Sequence, residues 1–572
     1  MDRRFIWAIV LMSLIVMAPA VLFKGERVGK LGSEGVTGGQ ADGRTDGPVT
    51  TDTPAPAAAP QLPDLPTSQP SAAPAPEDSV QVYSELFTYT ISTRGARLIG
   101  ATLPTYKSMA PADSARPAQL LLPESDLLGL RLVRGADTLR LDDWVFAPST
   151  TALSVGGPST VTFTAAQGDV QVALEYTFRP DDFRIGVRGA VTGVGPNGAL
   201  LLVGMGPGFR NTEANLGENQ REMGFVTKDQ SGTELTRLQS LDAGELRTVS
   251  GPFEWVAVKS KYFVTAVLAF GEGTVPVSGL TALSIATPEE KDASHASIWL
   301  SFPLSAEGRF GYELYAGPME FPRLAAIGHD FDDVNPYGWP GFRTIIRPVA
   351  IGVRWLLVWM HDHLNLAYGM VLVFFGILVR VVLWPLNQKA MRSTMAMQAI
   401  QPELQRVQEK YKQDPQRLQQ EMFKLYKEHS VNPFGGCWPM LLPMPVLLAL
   451  FFVFQNTIEL RGQAFMWLPD LSRPDPYYII PLLMGLSMYG LTKVGQLGMP
   501  PNPQTKIIMY VMPVMMTVLF VNFASGLNLY YAVQNLASIP QQWHLAQERM
   551  KRGLGAPPAA APTPAPKKKK KD

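Results

Sequence analysis

One charged side chain stands inside an otherwise apolar run. Arg380 lies in FFGILVRVVLWPL, about six residues from the end of the run. A guanidinium in hydrocarbon costs several kcal/mol unless it is hydrated, paired or snorkelled. One reading has Arg380 snorkel to lipid phosphates. The other turns it into a water-filled recess inside a helix bundle. A second apolar stretch supplies groups for such a recess. Asn528, Tyr531 and Asn535 recur at i, i+3 and i+7, with Tyr530 and Gln534 beside them. Asn522 and Thr517 add polar groups in the preceding run, and Gln455 and Asn456 in an earlier one. The plain alternative for the stripe is interhelical hydrogen bonding, worth about 0.6–2 kcal/mol each. No Asp or Glu falls within these runs, so Arg380 has no acidic partner there. In a polar recess it would attract acidic groups on a passing ligand.

Other chemistry is poorly supplied. Cys437 is the single cysteine, which excludes an intrachain disulfide and a cysteine-cluster metal site. His361 and His363 flank Asp362, but an i, i+2 spacing turns the rings about 200° apart on a helix, so hydrogen bonding suits them better than a metal. No phosphate-cradling glycine loop and no Ser/Cys–His arrangement stands out. The chain therefore reads as a non-enzyme with no cofactor and no metal. Seventeen of the 24 methionines lie between Met360 and Met550. Such side chains suit an adaptable apolar surface or ordinary membrane-helix packing.

The elements that position these residues follow from composition. A chain of 572 residues predicts roughly three or more units. Its net charge of +1 hides a split: residues 24–379 carry 27 Lys/Arg against 38 Asp/Glu, and 380–572 carry 21 against 10. Residues 1–24 place Arg3 and Arg4 before an apolar run, read as a transmembrane signal anchor in preference to a cleaved leader. Residues 25–79, rich in Pro, Ala and Gly, read as a disordered linker. Residues 80–325 change to period two. Val170, Val172, Leu174, Tyr176 and Phe178 alternate, Pro180-Asp181-Asp182 turns, and Phe183, Ile185 and Val187 alternate again. That is a half-buried hairpin in a large antiparallel β-sandwich. Residues 341–363, with three arginines and with Trp355 and Trp359 one turn apart, read as an interfacial amphipathic helix.

Membrane spans follow at 364–386, 437–458, 477–492, 506–522 and 527–541. Together, 364–386 and 437–541 form the membrane core. The last two spans divide at Ala524-Ser525-Gly526, because one helix over 507–540 would be about 50 Å long. With the N-terminus inside, the Lys/Arg excess is +3 over 387–436, +2 over 493–506 and +6 over 542–572. The exported loop 459–476 has −1. Six spans thus satisfy the positive-inside bias with both termini in the cytoplasm. Within the cytoplasm, 387–430 predicts a helical hairpin. Asp414-Pro415 starts its second helix, with Leu418, Met422 and Leu425 facing Leu404, Val407 and Tyr411 of the first. The tail 542–572 carries Arg549, Lys551, Arg552 and the run Lys567, Lys568, Lys569, Lys570 and Lys571. It reads as a solvated polycation, open to three readings: contact with ribosomal RNA, contact with anionic phospholipid, or no specific ligand beyond setting orientation. The fold class expected is a membrane protein: a bundle of six transmembrane helices, a five-helix core plus an N-terminal anchor, with a large exported all-β domain.

Several motifs now add up. Asn432-Pro433-Phe434-Gly435-Gly436-Cys437-Trp438-Pro439, continuing to Met444-Pro445, resembles the NP-x-GGC-x-P signature of the YidC/Oxa/Alb membrane protein insertase family. Ser525-Gly526-Leu527 with Tyr530-Tyr531 resembles its SGL-x-LYY element, and Arg380 with Pro385-Leu386 its groove arginine and following proline. Asp475-Pro476-Tyr477-Tyr478, WVAVKSKYF at 255–263 and LYAGP at 314–318 resemble the bacterial branch with a large periplasmic domain. Gly376, where some members carry a hydroxyl residue, and Pro443, where a glutamine is common, depart from the pattern.

The resemblance implies an inner-membrane insertase and folding chaperone for nascent membrane proteins, acting alone or beside the SecYEG translocon. It implies a hydrophilic groove that opens to cytoplasm and lipid, with Arg380 as groove arginine and Tyr531 as substrate contact. It implies a periplasmic β-supersandwich, and partners that include the ribosome and the signal recognition particle with its receptor. Two rivals remain: a small-solute or ion transporter, and a carbohydrate-directed protein whose sandwich does the work. Inverted repeats would mark the transporter, and none is visible between 364–458 and 477–541.

Overall fold

The computed structural model describes residues 78–122, 124–194, 198–271, 274–285, 295–304, 306–338, 342–429, 444–498 and 503–551. The expected anchor, nearly all of the linker, the NP-x-GGC element with Cys437, Pro443, and the tail from Arg552 through Lys571 lie outside these residues. The chain divides into two compact units.

The first unit runs to Met319 and includes Gly328–Val334. Its centre is a nine-stranded antiparallel sheet. From one edge the strands are Gly232–Arg237, Gly224–Asp229, Trp255–Lys259, Phe263–Leu268, Arg309–Pro318, Arg184–Val191, Val170–Phe178, Ser159–Gln167 and Ala147–Pro148. The alternation read from sequence is realised here: Val170, Val172, Leu174, Tyr176 and Phe178 are all buried, and Phe178 pairs with Ile185. Tyr176, Val187 and Tyr312 are direct cross-strand partners and so share one face. Against that face sit two smaller sheets. Tyr89 of a five-stranded sheet meets Phe178, and its hydroxyl donates to Ala316 O at 2.8 Å. Phe302 of a six-stranded sheet stacks on Tyr312 at 5.6 Å. The result is a two-layer sandwich built over a wide sheet.

The WVAVKSKYF segment places two lysines beside one short helix, α1 (Leu216–Glu222). Lys261 Nζ pairs with Glu218 Oε2 at 3.0 Å. Lys259 is only 1% exposed, donates to Glu222 O at 3.3 Å and lies 3.6 Å from Glu222 Oε2. Burial holds the Lys259 ammonium below its ordinary pKa, against the opposing pull of Glu222.

The second unit comprises 320–327 and the chain from 335. After the short α2 (Phe321–Ile327) it is helical: α3 (Arg343–Leu364), α4 (Tyr368–Ala399), α5 (Gln401–Lys410), α6 (Pro415–Glu428), α7 (Met444–Asn456), α8 (Ile479–Gly495), α9 (Pro503–Phe520) and α10 (Ser525–Lys551). The amphipathic α3 buries Ile346, Ala350, Val353, Leu357 and Met360 along one stripe. Ile345, Trp355 and Trp359 stand exposed on it. Among the described residues, one stretch, Tyr368–Pro385, is long and apolar enough to cross a membrane; Val446–Gln455, Ile479–Gly495 and Met509–Phe520 are shorter apolar helices. Two helices outrun the spans expected for them. The segment 387–399, NQKAMRSTMAMQA, holds no Gly or Pro, so α4 continues to Ala399. Likewise α10 passes Gln541 and runs to Lys551, the last described residue.

Asp414 caps α6 by accepting from Arg417 N at 3.1 Å, with Pro415 at the first turn. Leu425 is buried, and Leu404, Val407, Tyr411, Leu418 and Met422 are half-buried. His429 Nε2 meets Glu403 Oε2 at 2.9 Å and ties the base of this hairpin.

Arg549 corrects the sequence reading. Expected at a ribosome or lipid contact, it is 4% exposed and donates from Nη1 to Gly495 O at 2.7 Å and Leu497 O at 3.3 Å. The last carbonyls of a helix have no intrahelical donor, and a cation at that end also suits the helix dipole. Arg549 thus caps the C-terminus of α8, whereas Lys551 is exposed.

Two outcomes follow. Between the lowered Lys259 value and the ordinary 10.5, the unfolded chain binds a proton that the folded chain lacks. Stability of the sandwich therefore rises with pH in that window and is lost as pH falls through the folded value. Lys259→Met should flatten this slope in urea midpoints read by tryptophan fluorescence. Arg549→Ala should cost about 1–3 kcal/mol in thermal unfolding of the detergent-solubilised chain, because it strands part-buried helix-end carbonyls. Lys551→Ala should stay within about 0.5 kcal/mol.

Candidate functional site: the helix cluster around Arg380

The site is assembled on α4 and α10, which pack side by side. The docking of α10 begins at its N-terminus. Ser525 N donates to Arg473 O at 2.7 Å and Gly526 N to Leu471 O at 2.9 Å, so the loop before α8 satisfies amides that the helix leaves open. A side chain at Gly526 would meet Leu372 Cδ1 at 3.1 Å and Leu471 O at 3.2 Å. That close approach accounts for the glycine. The loop itself is held by Asp475, fully buried, which accepts from Ile480 N at 2.7 Å and Tyr477 N at 3.0 Å.

One turn further along α10, Tyr530 is fully buried between Phe375 of α4 and Phe454 of α7. Its hydroxyl finds no partner among the described residues. Gly376 lies opposite: a Cβ there would stand 3.2 Å from Val533 Cγ1 and 3.5 Å from Tyr530 Cδ2. The missing side chain lets α4 and α10 approach, which gives this departure from the family pattern a packing reason.

Arg380, one turn beyond Gly376, is half-buried. Its guanidinium turns toward α10. Nη2 donates to Gln541 Oε1 at 2.6 Å, and Nε is buried without a partner among the described residues. Gln541, 1% exposed, also donates from Nε2 to Trp384 O at 3.2 Å. No carboxylate is paired with Arg380 among the described residues.

The Asn/Tyr stripe goes elsewhere. Asn528 is fully buried and donates to Phe520 O at 2.9 Å, bracing the α9–α10 turn, while its Oδ1 is unpartnered among the described residues. Asn535 donates to Ser487 Oγ of α8 at 3.2 Å. Tyr531 is half-buried and meets Phe520 edge-on at 5.4 Å. Gln534 is half-buried and Asn522 exposed. The structure therefore brings Arg380 to Gln541, which sequence reasoning missed, and not to the stripe. Gln541 ended a predicted span and fell off the i, i+3, i+7 register. Its one signal was a glutamine at the close of an apolar run.

A different arginine of this unit is more deeply buried. Arg354 of α3, 3% exposed, pairs with Glu459 after α7 and donates from Nη1 to Tyr337 Oη at 2.9 Å. This ties α3 to the end of α7. Among the described residues no cluster of His, Cys, Asp and Glu could hold a metal ion.

Known proteins share this arrangement of segments. The family profile described as "YidC periplasmic domain" matches residues 79–351, and "60Kd inner membrane protein" matches 359–552. The membrane protein insertase YidC of Oleidesulfovibrio alaskensis is 31% identical over 494 residues, covering 84% of this chain and 88% of that one. The same-named protein of Chlorobium luteolum is 30% identical over 549 residues, covering 88% and 90%. A crystal structure titled as active YidC insertase, with its first transmembrane domain resolved, covers 82% of this chain and 93% of its own at 17% identity and a TM-score of 0.34. With two profiles spanning most of its length and relatives at this identity, the chain belongs to the YidC membrane protein insertase family.

Proposed function

We propose that this chain inserts nascent membrane proteins into the bacterial inner membrane and assists their folding, using the Arg380 region as a polar station partway across the bilayer. The observation that carries this is the direction of the guanidinium. It lies on an apolar helix, turns toward α10 and meets a neutral amide, so its charge is not cancelled. An uncancelled cation inside a helix cluster favours acidic groups in a passing segment. Tyr531, half-buried beside Phe520, is the proposed contact for the client's apolar part. Asn522, Asn528, Tyr530, Gln534 and Asn535 complete the proposed groove, with Asn528 and Asn535 bracing its walls.

The chain crosses the membrane six times in this reading, with an anchor at 1–24, both termini cytoplasmic and the β-sandwich in the periplasm. Loop charges support it. Water and Arg380 lower the cost of bringing a short acidic tail inward. Partition of the apolar segment into lipid then supplies the driving force, at about 25 cal/mol per Å² buried, so no nucleotide or catalytic group is needed. The hairpin 387–430, Lys551, Arg552 and Lys567 through Lys571 are the proposed contacts for ribosome, signal recognition particle, its receptor and anionic phospholipid. SecYEG is the proposed translocon partner. Membership of an insertase family removes the support for a transporter.

Arg380→Ala should lower insertion of clients with acidic exported tails by about tenfold, as expected for loss of a charge-assisted contact, while tail-neutral clients insert nearly as before. Unchanged insertion across a client panel would remove Arg380 from this role. Deleting 80–325 should leave most insertion intact; complete loss would favour a function seated in the sandwich. A stalled nascent chain should cross-link to a photoreactive residue at Tyr531.

A further inference from the structure

We propose that Gln541 is the positioning residue that aims the Arg380 guanidinium and sets the preference for acidic client segments. The inference rests on the reading of Arg380 given above. The clamp has two points on α4. Gln541 Oε1 accepts from Arg380 Nη2 at 2.6 Å, and Nε2 donates to Trp384 O at 3.2 Å. Arg380 and Trp384 are four residues apart, so one side-chain amide grips successive turns of the same helix face.

The chemistry fixes the amide's orientation at both ends. A guanidinium has only donors, so the amide oxygen must face it. A carbonyl has only lone pairs, so the amide nitrogen must face Trp384 O. A rotation that swaps oxygen and nitrogen breaks both contacts at once. Gln541 is also 1% exposed, so water does not compete for either group.

The residue type matters as much as the place. A glutamine takes one of five guanidinium N–H bonds and leaves the positive charge whole. A glutamate of equal length would take the same bond and cancel the charge. An aliphatic residue would free an unbranched arginine to rotate toward the headgroups. Of these, the neutral amide alone holds the arginine inward and keeps it attractive to a carboxylate.

The test compares two reporter clients that are identical except for paired Asp or paired Asn in the exported tail. Insertion is measured in proteoliposomes with the full-length chain and its Arg380→Ala, Gln541→Leu, Gln541→Glu and Arg380→Ala/Gln541→Leu variants. The readout is the ratio of acidic to neutral reporter inserted, which a general packing defect would not move. Gln541→Leu should lower that ratio about tenfold and should add nothing in the Arg380→Ala background. Gln541→Glu, of nearly the same volume, should lower it similarly; it serves if the leucine variant does not fold. If Arg380→Ala lowers the ratio but both Gln541 variants keep it, the positioning role is overturned and the groove reading stands. Additive losses in the double variant also overturn it, because Gln541 would then act apart from Arg380. If Arg380→Ala itself leaves the ratio unchanged, the underlying reading fails.

Discussion

A guanidinium cannot be left bare in hydrocarbon, and the second unit is arranged around meeting that constraint. Arg380 cannot lose its proton at any accessible pH. A helix carrying it must offer water, a counter-ion or polar neighbours. Here the neighbour is an uncharged amide on α10. That choice demands close packing of α4 on α10, which Gly376 permits. It also demands that α10 be fixed along its axis, which the backbone bonds from Ser525 and Gly526 to the preceding loop provide. The loop in turn depends on Asp475, whose carboxylate closes the start of α8. The polar contact and its distant supports form one chain of dependence.

Arg354, buried, and Arg380, half-buried, are handled in opposite ways. Arg354 is paired with an acid, Glu459, and with Tyr337. Its charge is neutralised locally, and the contact serves as a tie between α3 and the end of α7. Arg380 meets only a neutral acceptor among the described residues. The first arrangement makes a fixed joint, and the second leaves the charge uncancelled, which is what the proposed role of Arg380 requires. Arg549 is a third case, meeting helix-end carbonyls instead of a side chain.

Much of this was legible in the sequence where a local rule suffices. Period-two alternation over Val170–Phe178 located buried strand faces, because side-chain direction in a strand is set by parity alone. Asp414-Pro415 located a helix start, since capping and the first-turn proline act within one turn. Arg380 stood out against its apolar neighbours. The misses share a cause as well. Which residue meets Arg380 depends on the rotation and axial placement of α10, and neither is encoded within the segment. Gln541 therefore looked like the end of a span, and the Asn/Tyr stripe looked like its partner. The burial of Arg549 was hidden for the same reason: basic residues near a polycationic tail read as solvated until α8 is placed beside them.

The proline in α4 changes what the Gln541 contact accomplishes. Pro385 has no amide hydrogen, so the carbonyl four residues earlier, at Val381, loses its rung of the ladder. The helix is softest there, between the apolar segment and the hairpin that hangs from its far end. Gln541 grips Trp384 O within this weakened turn and Arg380 just before it. A bend in α4, were the hairpin to move, would fall most readily at this turn. The Gln541 contacts to Arg380 and Trp384 bridge this turn, so they brace the charged position across the stretch of α4 that has lost a backbone bond.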